Sequence, residues 1–298
     1  MARGPITERL VRAARRAHSA QVVDLAAFRA GGEVARELQA TLMTREGADE
    51  LHPVHAFWSL VQHNLAMFGE QVLALPDASK FAKPIAAAED EYMPSGPPMS
   101  PLTGTYFFGW AYCDFQVGVA KETAAGATID VITTLGVDPG MLTLMRTFAA
   151  SRMGLWTVLG HGDGTTILRE GVMGDTRECV VPAGYPGKRG ELWLARVLPA
   201  PKEGLPSLVF TTPYVLWSPA SAWEEYLGRT LTKMDPKNPA RAYPTLMKHG
   251  LSARYWPEFV FEAYASHKPE AVFLLGLPDV DGSRPHGAGF VAPRGSGG

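Results

Sequence analysis

Apolar residues recur every three or four positions through most of the first 90 residues, the repeat of helices with one buried face. Pro5 stands where a first helical position would be. Ile6, Leu10, Val11 and Ala14 fall on one side of that helix and Arg9, Arg12 and Arg16 on another. Gly31-Gly32 interrupts the pattern, which resumes over Glu33 to Glu46 with Val34, Leu38, Leu42 and Met43. Pro53 opens the clearest helix, carried by Val54, Phe57, Trp58, Val61, Leu65, Phe68, Val72 and Leu75, and Pro76 ends it.

Residues 92–105 hold four prolines and two glycines and predict a linker. The aromatic run 106–118 reads as a buried extended or irregular segment. Helical patterns follow over 119–135 and 139–152, the second opened by Asp138 as a cap and Pro139. After Ser151 the period shortens. Leu155–Leu159, Thr165–Leu168, Glu178–Val181, ELWLARVL and the run 207–217 make about five short strands separated by glycine-rich turns, which predicts a small antiparallel barrel or curved sheet.

Helical spacing returns after Ser218-Pro219 with Trp223, Tyr226, Leu227 and Leu231. A second helix is expected at Asn238-Pro239, limited by Pro244, and a third over Pro257 to His267. Residues 271–277 are apolar, and glycine, proline and serine dominate from Pro278. The expected fold is therefore α+β, in six stretches. These are an N-terminal helical region (1–91), a linker (92–105), an aromatic segment with helices (106–152), a small β module (153–217), C-terminal helices (218–277) and a tail (278–298).

Composition narrows the class. The 298 residues are 46% hydrophobic and 19% charged, with a formal net charge of −2. That excludes a wholly disordered chain and a histone-like polycation. The charge is uneven: residues 51–150 carry four basic and nine acidic side chains, whereas residues 1–20 carry five arginines against Glu8 alone. Such a start suits an ordinary first helix with a solvated basic face, a transit peptide, or a contact with nucleic acid or anionic lipid. Cys113 and Cys179 are too few for a disulfide framework or a structural zinc site, and no apolar stretch is long enough to span a membrane. Two reduced thiols in a cytoplasmic protein is the expectation.

Candidate chemistry is sparse. His161 and Asp163 in the segment LGHGDGT combine a base and an acid with flexible glycines. The same residues also suit a hairpin turn. Tyr185, Lys188, Arg189, Trp193 and Arg196 form a small basic and aromatic cluster of the type that contacts nucleic acid. The competing reading is a solvated turn beside a core tryptophan. His52, His55 and His63 lack metal-ligand spacing, and no phosphate-loop, dinucleotide or G-x-S-x-G pattern occurs. No cofactor or metal is expected.

Three functions stay open on these residues. One is a non-catalytic binding or scaffold protein, with a protein partner or self-association. Another is a hydrolase-like enzyme around His161 and Asp163. The third is a nucleic-acid contact through Arg9, Arg12 and Arg16 with the Lys188-Arg189 turn.

Residues 151–199 carry the pattern S-R-x-x-L-[WY]-x-V, then L-R-[DE], then G-[DE]-L-x-x-[AV]-R-[VL]-[LV]-P. It is placed here on Ser151, Arg152, Leu155, Trp156, Val158, Leu168, Arg169, Glu170, Gly190, Glu191, Leu192, Ala195, Arg196, Val197, Leu198 and Pro199, with Gly174 between. This segment resembles uncharacterised bacterial proteins of the SEC-C-associated kind. The resemblance implies a helix running into a small β module. Those relatives end in a cysteine-rich zinc tail, which this chain lacks, so it implies no zinc function here.

Overall fold

The computed structural model describes residues 3–21, 52–92, 101–216 and 220–250. The helical patterns 33–46 and 257–267, the apolar run 271–277 and the tail lie outside the described residues. The chain forms two interleaved compact units, one of residues 1–87 and 111–150, the other of residues 88–110 and 151–298.

In the first unit, α1 (Pro5–Gln21), α2 (Pro53–Leu73) and α5 (Ala124–Thr134) bury their apolar faces together, and α6 (Pro139–Ala150) packs on α2 and α5. Ile6, Leu10, Val11 and Ala14 meet Val72, Phe81, Ala127 and Val131 in one cluster. Caps set the helix starts. His52 Nδ1 accepts from the Val54 N–H at 3.2 Å, and Asp138 Oδ1 accepts from Met141 at 2.9 Å. The first turn of α1 is capped from far along the chain, because the Glu122 carboxylate accepts from Ile6 N at 3.1 Å and Thr7 N at 2.8 Å.

α3 spans Ser79–Tyr92 and α4 spans Pro101–Cys113. The helix α4 corrects the expectation of an extended segment at 106–118. Tyr106, Phe107, Trp110 and Ala111 are buried at helical spacing, but the helix is apolar nearly all round. Its amphipathic signal is therefore weak, and aromatic content mimicked β-propensity.

The second unit is built on a barrel of β1 (Met153–His161), β2 (Thr166–Glu170), β3 (Thr176–Val180), β4 (Leu192–Leu198) and β5 (Ser207–Val209). The order β1-β2-β3-β5-β4 closes through β1–β4 pairing. All neighbours are antiparallel except β3 and β5, which run parallel. One edge of β4 is shared: Val197 and Leu198 pair with β5, and Leu192 to Leu194 pair with β6 (Tyr214–Leu216). The expected single run 207–217 is thus two strands, broken at Thr211 to Pro213.

Every residue of β4 is buried. Trp193, Ala195 and Val197 point into the barrel with Trp156, Val158, Leu168, Cys179 and Val209. The other face lies under α4. There the Tyr106 hydroxyl sits 2.6 Å from the Leu194 carbonyl and 2.7 Å from that of Thr212, and the Tyr106 and Tyr214 rings are 4.4 Å apart. α7 (Ala220–Met234) and α8 (Pro239–His249) follow. α8 runs through Pro244 rather than stopping there: a proline in mid-helix removes one hydrogen bond and crowds the preceding turn, and tertiary packing of Tyr243, Leu246 and Met247 outweighs that.

Candidate functional site

The antiparallel order brings the β1–β2 hairpin and the β3–β4 loop to one end of the barrel. The hairpin closes through a Gly162 N–H to Thr165 carbonyl bond of 3.0 Å, and Gly164 takes φ +67°. Three bonds tie the hairpin and the loop to their surroundings. The Thr166 hydroxyl donates to the Pro186 carbonyl at 3.0 Å. Gly190 N donates to Val158 O at 2.8 Å, and Val158 N to Glu191 O at 2.9 Å.

Glu191 organises the loop. Its carboxylate accepts from the Tyr185 hydroxyl, which lies 2.8 Å and 3.0 Å from its two oxygens, and from Trp193 Nε1 at 3.2 Å. The Tyr185 ring packs 6.1 Å from the Trp193 ring. Gly187 passes directly over the indole with φ +82°, a conformation and a clearance that a side chain would violate. The loop is therefore held to a shape, with Tyr185, Lys188 and Arg189 exposed on it. The Lys188 carbonyl accepts from Glu191 N at 3.0 Å, but the side chains of Lys188 and Arg189 make no ion pair or hydrogen bond with the described residues.

His161 and Asp163 occupy the exposed hairpin tip at the same end, and their side chains likewise make no hydrogen bond or ion pair with the described residues. Beside them on the hairpin, the Thr165 hydroxyl donates to the Glu178 carboxylate at 2.6 Å. Trp193 and Arg196 depart from the expected contact cluster. Trp193 is fully buried in the barrel and Arg196 is 2% exposed. The cause is the double burial of β4, which leaves no residue of that strand on the surface. Arg9, Arg12 and Arg16 are exposed on α1, in the other unit.

At the opposite end of the barrel lies a polar cluster not anticipated as a unit. Arg152 grips the buried Glu170 with bonds of 2.6 and 3.0 Å and stacks over the Tyr243 ring at 4.9 Å. Burial opposes the guanidinium charge, but the Glu170 bonds and charge outweigh it and raise the Arg152 pKa. Burial, then the Glu170 charge, hold the Tyr243 phenol protonated. Its oxygen accepts from Leu155 N at 3.1 Å. The Ser151 carbonyl accepts from Arg196 Nη1 at 2.8 Å and from Lys248 Nζ at 2.9 Å. Ser151, Arg152, Glu170 and Arg196 stand in the segments SR, LRE and AR of residues 151–199, which was the available signal. Their role is to fasten α8 and the two strands β1 and β2.

Cys113 and Cys179 are buried and not joined in a disulfide, and burial pushes the Cys179 thiol up to about 12. Among the described residues, no group of three His, Cys, Asp or Glu side chains is placed to hold a metal ion, and no helix is long and apolar enough to cross a membrane. No family model, curated protein or solved structure matches the chain.

Proposed function

We propose that this is a cytoplasmic, non-catalytic binding or scaffold protein whose barrel is the recognition module, acting on a protein partner or on a second copy of the chain. The observation that carries this reading is the loop Tyr185–Glu191. An aromatic ring and two cations without a described counter-charge stand exposed on a backbone held by Glu191, Trp193 and Thr166. A contact loop that is already ordered loses little conformational freedom on binding. The barrel order β1-β2-β3-β5-β4 with a parallel β3–β5 pair is also the connectivity of oligonucleotide- and oligosaccharide-binding barrels, which present ligands to strands 2 and 3 and to the loops. That is support by analogy of fold. The outward face here, with Ile167, Arg169, Thr176 and Glu178, mixes charges rather than forming a basic groove.

The test is the native size of the protein in extracts of its host, compared with the double variant Lys188→Glu/Arg189→Glu. The reading predicts an assembly larger than one chain that shrinks to a single chain in the variant while thermal stability is kept. A wild-type protein that runs as a single chain at every concentration, or an assembly indifferent to the variant, contradicts it.

A further inference from the structure

α1 carries a second surface, unrelated to the barrel. Arg9, Arg12 and Arg16 are spaced by three and four residues, so they lie on one face of the helix. That face is turned away from Ile6, Leu10, Val11 and Ala14, which are buried in the core of the helical unit. All three guanidinium groups are exposed, and none has a hydrogen-bond or ion-pair partner among the described residues. The helix does not roll freely to hide them. Its first turn is held by Glu122 through Ile6 and Thr7, and Gly4 passes so close to the Glu122 side chain that a larger residue would collide with it.

We infer that this stripe binds the phosphate backbone of nucleic acid without reading its sequence. Three features select that partner. At about 1.5 Å rise per residue the stripe is about 10 Å long, so its three guanidinium groups can each meet a neighbouring phosphate of a densely charged nucleic-acid backbone. The basic residues along α1 up to Arg16 are arginines and none is lysine, and the planar guanidinium matches phosphate oxygens in pairs. The apolar face of α1 is occupied by the protein core, so none is left to insert among lipid chains, as an amphipathic membrane helix requires. Guanidinium contacts to phosphate position a strand without reading its bases.

The experiment uses the full chain and a short fluorescent DNA duplex of arbitrary sequence, read by anisotropy across a salt series. The expected affinity is weak, with Kd on the order of 10⁻⁴ to 10⁻⁶ M, and equal for unrelated sequences. The logarithm of the association constant should fall with the logarithm of salt at a slope of about −2.7, for three phosphates. The triple variant Arg9→Gln/Arg12→Gln/Arg16→Gln should lose at least tenfold in affinity and nearly all of the slope. The triple lysine variant should keep the slope, and Lys202→Gln/Lys237→Gln, at exposed lysines outside both surfaces, should leave binding unchanged. Circular dichroism melts check that each variant folds. No binding at low salt, or binding undiminished in the glutamine variant, overturns the inference. Binding confined to vesicles containing phosphatidylserine would also overturn it and assign the stripe to anionic lipid.

Discussion

Arg152 holds Glu170 in a two-bonded ion pair in which the carboxylate is 1% exposed, and the pair joins the start of β1 to the end of β2. Such a pair is worth more for what its loss exposes than for its own net attraction. Glu170→Ala should leave Arg152 facing a buried vacancy and destabilise the second unit by about 3–5 kcal/mol. The double change Arg152→Met/Glu170→Leu should recover most of that loss. Urea unfolding of the three proteins measures it. A single variant within about 0.5 kcal/mol of wild type would contradict the account.

Gly187 tests whether the recognition loop is held rigidly. Gly187→Ala meets both a positive φ and the Trp193 indole, so it should cost about 1–3 kcal/mol and shift the tryptophan fluorescence. Gly164→Ala has a positive φ but open space, and should cost only about 1 kcal/mol with the fluorescence unchanged. Equal effects at the two glycines would remove the packing half of the argument.

Trp193→Ala should cost about 3–5 kcal/mol, since it empties the centre of the barrel. Lys188→Ala and Arg189→Ala should each stay within about 0.5 kcal/mol. Thermal melts distinguish a tryptophan that fills the core from one that serves a ligand.

Cys179 titrates far above its ordinary range because burial disfavours the thiolate. Its folded-state pKa is raised above the unfolded value, so its contribution to stability is intact below pH 9 and is lost as the pH climbs from 9 towards about 12. Wild type should lose stability over that window, and Cys179→Ala should lose less over it. In the native state at neutral pH, neither Cys113 nor Cys179 should react with a thiol reagent until the chain unfolds. Rapid labelling of Cys179 in folded protein would show the barrel to be open.

Glu122→Ala removes the carboxylate that caps α1 and should destabilise the helical unit by about 0.5–2 kcal/mol. Hydrogen exchange at Ile6 and Thr7 should accelerate, with little change in the barrel amides.

Much of the fold was legible because periodicity was strong wherever one face of an element met water. α2 and α6 began at the predicted prolines, α6 with its predicted cap Asp138, and the strands β1 to β4 lay between the glycine turns. Legibility failed where an element lacks a polar face or is buried on two sides. α4 has no polar face, and β4 hides Arg196, whose charge suggested a surface. Tyr185, Lys188 and Arg189 emerged exposed beside one another, whereas their apparent companions Trp193 and Arg196 turned inward. The organiser of the loop, Glu191, was not visible as such, because its link to Tyr185 depends on the reversal of the chain at Gly187 and Gly190.

The most direct measurement of the central claim places a photoreactive phenylalanine analogue at position 185 of the full chain in its host and identifies the adducts by mass spectrometry. The account predicts one discrete adduct, with a second copy or with a specific protein, that disappears on Lys188→Glu/Arg189→Glu. It also predicts that the adduct is absent when the analogue replaces Met173, in the turn between β2 and β3 at the other end of the barrel. No adduct at position 185, or the same adducts from positions 185 and 173, would contradict it.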